Sequence, residues 1–134
     1  MAKADYEKLA DFRYRLRRFL RFSEDATRKR GVTVLQYLLM LQIRGFPGRD
    51  WATVGELAER LQSKHHGVVS LVSRCEALGL VARKPSSIDK RRVEVSLTAR
   101  GAARLETLAR LHRAELASLK GASGLSLPVE LGAG

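Results

Sequence analysis

The sequence predicts a mainly α protein with a small β-wing: a winged helix-turn-helix flanked by long N- and C-terminal helices. Three observations predict it. Residues 53–98 run as two short helical patterns joined at a polar turn, then a strand, a basic loop and a second strand. The second of those helices, within 63–78, carries polar and basic groups at its start and an apolar stripe behind them. Long stretches of apolar residues spaced by three and four stand on either side, over 4–29 and 99–119. Helix, turn, helix and wing, in that order, is how a recognition helix is presented to the major groove of a duplex.

Composition sets the class of partner. A chain of 134 residues fits one domain, 1–134, with room for a proper core, and 45% hydrophobic residues argue against a disordered tail. Charged residues make up 29% and the formal net charge is +11, which calls for a polyanionic partner: nucleic acid first, an anionic membrane second. No apolar run approaches the roughly 18–20 residues of a membrane span. The N-terminus has no continuous apolar stretch to act as a signal peptide. The expectation is therefore a cytoplasmic protein with no membrane association. Cys75 is alone, so no internal disulfide forms, which fits a reducing compartment.

In chain order, Leu9, Phe12, Leu16, Phe19, Leu20 and Ala26 define one face of a helix over 4–29, with arginines on much of the rest and Gly31 just past its end. Those arginines are read chiefly as a solvated face, with phosphate contact at a duplex flank as the second reading. Thr33 and Gln36 form a capping box for a short helix that is apolar nearly all round, as befits the centre of a fold. Residues 45–50 break it and make a loop. Trp51 and Ala52 allow a very short strand, and Thr53 with Glu56 forms a second capping box.

Ser63 is the expected N-cap of the following helix, whose stripe is Val68, Leu71, Val72, Cys75 and Leu78, ended by Gly79. Lys64, His65, His66, Val69, Ser70, Ser73 and Arg74 point away from that stripe. Hydrogen-bonding groups early and a cation near the end suit reading base edges first and gripping phosphate further along. Strands are expected over 80–83 and 93–97, the second with Val93, Val95 and Leu97 inward against Glu94 and Ser96. The loop between them, 84–92, is cationic through Lys84, Lys90, Arg91 and Arg92 and is read as inserting along the minor groove. Thr98 caps the last helix, where Leu105, Ala109, His112, Leu116 and Leu119 form one stripe, extended by Leu108, Leu111 and Ala114. A face that wide predicts a partner helix.

These residues resemble the MarR family of winged-helix transcriptional regulators. Val32, Thr33 and Gln36, with Leu39 and Leu41, resemble the family's helix opening, Leu or Val followed by T-x-x-Q. Residues 56–61 through 74–83 resemble its helix-turn-helix running into the first wing strand. Asp89-Lys90-Arg91, then Leu97-Thr98 and Gly101, resemble its wing signature D-x-R and the L-T-x-x-G that opens the next helix. The resemblance spans about 32–101. It implies a homodimer whose terminal helices, 4–29 and 99–134, entwine with those of the partner, leaving 32–98 as the core and DNA-binding lobe. It also implies a palindromic operator on double-stranded DNA, usually repressed, and release by a small phenolic or other effector or by cysteine oxidation. It casts Arg91 as the minor-groove arginine and Asp89 as a residue that holds the wing by pairing with a nearby arginine. The chain departs from the pattern at His65, His66 and Gly67, where a Ser or Thr is common, at Ser63 in the turn, and at Ser70, where the family has an arginine or similar group. No cysteine stands in the first helix, where peroxide-sensing members carry theirs.

The expected DNA-binding set is thus Ser63, Lys64, His65, His66, Val69, Ser70, Arg74, Lys84, Asp89, Lys90 and Arg91. Neighbouring helical residues point about 100° apart, so His65 and His66 do not share a metal easily; no metal or other cofactor is expected. Cys75 is read as a small apolar core residue. No nucleophile with its base and no phosphate-cradling loop emerges, so no enzyme is expected. The main rival reading is a winged helix used as a protein-interaction or assembly module without sequence-specific DNA binding; a weaker one is a basic membrane-surface protein.

Overall fold

The computed structural model describes residues 1–119. Its elements run α1 (Lys3–Arg28), α2 (Val34–Arg44), β1 (Trp51–Thr53), α3 (Val54–Leu61), α4 (His65–Ala77), β2 (Val81–Pro85), β3 (Val93–Leu97) and α5 (Ala99–Leu119). The expected tail 121–134 lies outside the described residues.

Local chemistry sets the helix boundaries. Thr33 Oγ1 accepts the Gln36 N–H at 3.1 Å while Gln36 Oε1 accepts the Thr33 N–H at 2.9 Å, so both orphan donors at the start of α2 are satisfied. Thr53 and Glu56 do the same for α3. With its entry fixed, α2 buries Leu39, Met40 and Ile43 completely, and α1, α3, α4 and α5 pack around it. The core continues into Leu57, Val68, Val72, Cys75, Leu80, Val95 and Leu108.

The strands form one antiparallel sheet in the order β1-β3-β2. Trp51 pairs with Ser96 and Thr53 with Glu94, while Lys84 faces Glu94 from the other side. The wing is therefore a three-stranded sheet whose central strand is β3. That position reverses part of the expected alternation: Glu94 is only 5% exposed, flanked by its neighbours on both strands, whereas Val93 at the strand's start is open to solvent. The Glu94 carboxylate lies 3.9 Å from Lys84 Nζ.

Other expectations also shift. Ser63 does not cap α4; Lys64 occupies the N-cap, without a side-chain cap bond, and Ser63 Oγ donates to the Leu61 carbonyl at 3.3 Å. The turn is instead closed by Gln62 in the left-handed region, at φ 51°, with the Ser63 N–H on the Ala58 carbonyl. Leu78 is exposed, because α4 stops at Ala77 and the chain leaves the stripe there. Ala114 is likewise exposed. On α1 only the C-terminal part of the apolar face is covered: Ala26 is buried, but Leu9 and Leu20 are half exposed.

The link from sheet to last helix explains the L-T-x-x-G pattern. Thr98 Oγ1 donates to the Gly79 carbonyl at 2.6 Å and accepts the Gly101 N–H at 3.0 Å, and the Thr98 N–H reaches the Leu80 carbonyl. A Cβ on Gly101 would stand 2.0 Å from the Leu80 carbonyl oxygen, so only glycine lets the first turn of α5 lie against the end of α4.

Candidate nucleic-acid interface

α4 divides cleanly into two faces. Val68, Leu71, Val72 and Cys75 are buried, and burial pushes the Cys75 thiol up to about 11. Lys64, His65, His66, Gly67, Val69, Ser70, Ser73 and Arg74 are exposed. A three-residue turn of exposed Gln62, Ser63 and Lys64 leads into that face, so its first residues are uncovered by the rest of the described chain.

The wing loop holds a fixed shape through its own polar groups. Ser86 is buried; its hydroxyl accepts the N–H groups of Ile88 and Asp89, both at 3.2 Å, and its own N–H donates to the Arg92 carbonyl. The Asp89 carboxylate accepts from the Arg91 backbone N–H at 3.1 Å and from Arg91 Nε at 3.2 Å. The Arg91 backbone N–H, then its guanidinium, together with the nearby Arg92 charge, hold the Asp89 carboxyl below the usual range. The loop is thus tied at its base while the cationic ends of Lys90, Arg91 and Arg92 stand in solvent.

Helix face and wing enclose an open cleft of about 550 Å³. His65 and Val69 from α4, Arg91 and Arg92 from the wing, and Thr53 to Glu56 at the start of α3 all line it. A shallower groove of about 510 Å³ runs along Ser63, Lys64 and His65 toward Gly55 and Glu59. Of the expected set, His65, Val69 and Arg91 meet in the cleft and Ser63 and Lys64 line the groove beside it. His66, Ser70, Arg74 and Lys90 are exposed outside both, and Lys84 is turned toward Glu94.

Three residues outside the expected set belong here, although the loop reading already counts Arg92 among its cations. Arg83 and Arg92 also line the cleft. Arg83 donates to Glu76 Oε1 at 3.0 Å and to Ser73 Oγ at 3.2 Å, tying the back half of α4 to β2. The Arg83 side chain, above all, holds the Glu76 carboxyl below its ordinary range. The signal was available: Arg83 lies two residues from buried Val81, hence on the same side of the strand. The third is Glu56. Partial burial pushes its carboxyl up, but the Thr53 N–H, the Arg49 guanidinium and the Thr53 hydroxyl outweigh that and lower it. Arg49 is itself stacked between Phe46, at 4.2 Å, and Trp51, at 3.9 Å, which orders the loop before β1.

Among the described residues no group of three His, Cys, Asp or Glu side chains is placed to hold a metal ion, and no helix is long and apolar enough to cross a membrane.

Comparisons with known proteins agree with this geometry. Residues 30–92 match the model of the MarR family. No curated protein matches the chain by sequence. Among solved structures, AbsC, a MarR family transcriptional regulator from Streptomyces coelicolor, superposes with a TM-score of 0.75 at 19% identity, over 96% of this chain and 84% of that one. A mutant MarR from E. coli complexed with operator DNA gives 0.69 at 24% identity, over 84% and 81%. A mutant MepR from S. aureus bound to an oligodeoxyribonucleotide gives 0.69 at 22%, over 86% and 81%. At these identities the structural likeness is one of fold.

Proposed function

Since residues 30–92 match the model of the MarR family, we propose that this chain is a MarR-family transcriptional regulator that binds double-stranded DNA sequence-specifically as a homodimer. The observation that carries the reading is the shared surface of α4 and the wing: polar side chains at the helix start and cationic side chains on the wing line one cleft, none of it covered by the described chain. In this reading Lys64, His65, His66, Val69 and Ser70 face base edges in the major groove, and Ser63 flanks them at the turn. Arg74, Lys84 and Lys90 hold phosphate, and Arg91, steadied by Asp89, enters the minor groove. Fold likeness to regulators solved with DNA supports the same docking.

The homodimer is supported by the half-exposed Leu9 and Leu20 on α1, an apolar stripe that the single chain leaves uncovered. Two-fold symmetry puts the half-sites about one helical turn, roughly 34 Å, apart on a palindromic operator. Repression is the expected direction of control.

The test is selection of bound duplexes from a random pool, followed by anisotropy titrations of the selected duplex against salt. The expected result is a two-fold-symmetric consensus with a steep negative dependence of affinity on salt. A pure dimer that ignores every duplex at low ionic strength, but is captured by an acidic protein, would hand the surface to the assembly-module reading.

A further inference from the structure

The most exposed large apolar side chain in the described structure is neither on a helix nor at a terminus. Ile88 is 91% exposed and sits at the tip of the wing. An isoleucine in that position has no role in the fold: nothing in the core touches it. Solvent exposure of so large an apolar side chain is unfavourable, and the loop does nothing to hide it. The loop instead fixes it outward. The Ile88 N–H is held by the buried Ser86 hydroxyl, and the next residue, Asp89, is bonded to the same hydroxyl and to Arg91. The apolar tip is therefore pinned between Ser86 and a carboxylate clamp, with Lys90, Arg91 and Arg92 immediately after it.

An apolar residue on a rigid hairpin, flanked by cations, is the arrangement of a side chain that enters between base steps from the minor groove while its neighbours neutralise phosphate. We propose that Ile88 is such a wedge: on binding it partly unstacks one base step at the outer flank of each half-site and bends the duplex there. The proposal rests on the DNA-binding reading above and adds a contact that reads deformability rather than base edges. Steps that unstack easily, pyrimidine followed by purine, are then favoured at that flank even though no hydrogen bond specifies them. The same geometry separates the roles within the loop. Arg91 supplies charge, and its loss changes the salt dependence; Ile88 supplies apolar burial, and its loss does not.

The experiment uses the full chain and the duplex selected from the random pool, with 2-aminopurine placed in turn at each position of the flanks. The intact protein is expected to raise the fluorescence at one flank step and not at its neighbours. Ile88→Ser is expected to abolish that rise and weaken binding roughly tenfold, the partial loss of one buried aliphatic side chain, with the salt slope unchanged. Ile88→Leu should retain both. Because the residue is fully in solvent, neither variant should alter the thermal midpoint. A complex that forms tightly with no fluorescence change at any flank position overturns the wedge while leaving the regulator reading intact. So does an Ile88→Ser protein that binds and unstacks as before, or one that loses affinity without any unstacking signal in the parent. Failure of the intact chain to bind any duplex overturns both.

Discussion

His112 and the pair His65–His66 place the same residue type in two opposite environments. His112 is buried where α5 meets α1 and α2. Its Nδ1 lies 2.7 Å from the Leu108 carbonyl and its Nε2 2.8 Å from Ser23 Oγ. A carbonyl only accepts, so Nδ1 carries a hydrogen. The ring stacks on Tyr37 at 4.3 Å and meets the edges of Phe19 and Phe22. His65 and His66 have no such partners among the described residues; they stand in solvent at the start of α4. The joint between the terminal helices and the lobe uses its polar groups internally, and the α4–wing surface leaves them free. Stability and recognition are therefore carried by different residues, and substitution should separate them.

The largest effect is expected at the joint. His112→Ala removes two buried hydrogen bonds and the ring that fills the space between three helices, and should cost roughly 2–4 kcal/mol of stability. Urea denaturation measures it, and duplex affinity of the folded fraction should stay within about twofold. At the other surface the signs exchange. Arg91→Ala should leave the denaturation midpoint unchanged but weaken duplex binding by about 1–3 kcal/mol and lower the salt slope by about one unit per subunit. An Arg91 variant that unfolds early, or a His112 variant that stays stable, would break the division.

The contrast also marks what the sequence made legible. Periodicity and capping chemistry placed the helix starts to within a residue or two, and at α2, α3 and α5 Thr33, Thr53 and Thr98 each cap through their own side chains. The front of α4 was legible for the same reason: its buried and exposed residues separate by helical period. The errors lie where a neighbour across the fold decides. Glu94 reads as outward from alternation, yet β1 and β2 both flank it. The turn into α4 depends on a left-handed Gln62, for which glutamine carries no signal. Ser63 has the chemistry of an N-cap but stands one residue too early. His112 fell on the expected apolar stripe of α5, but nothing local announced Ser23, 89 positions earlier in the chain, as its partner.

The back of α4 belongs with the joint, and its cysteine offers a smaller test. With the Cys75 thiol pushed up from 9.0 to about 11, the native state keeps its proton at pH values where the unfolded chain has lost it. The native state then binds more protons, so stability is fully present below about pH 9 and declines as pH rises toward 11. Urea midpoints measured across that window should fall, by roughly 1–2 kcal/mol in free energy. Cys75→Val, close in volume, should remove that part of the decline. A native thiol that reacts rapidly with a labelling reagent at pH 8 would contradict the burial of Cys75.

The smallest effect tests the front of α4 where it has no side chain at all. Gly67 lies in the first turn of the helix, and a Cβ added there would meet nothing within 4 Å. Protein packing therefore gives no reason for glycine, and helical geometry disfavours it: alanine should stabilise the chain by about 0.5–1 kcal/mol. What the position gains by lacking a side chain is closeness, since a backbone without a Cβ lets a duplex approach the helix between His66 and Ser70. Gly67→Ala should accordingly raise the denaturation midpoint and weaken duplex binding a few-fold, about 0.5–1 kcal/mol. Opposite signs from one methyl group would show that the helix start is shaped for its ligand at the expense of its own stability. If stability rises and affinity holds, Gly67 lies off the contact, and the bases are read from the His65–Val69 side of the helix alone.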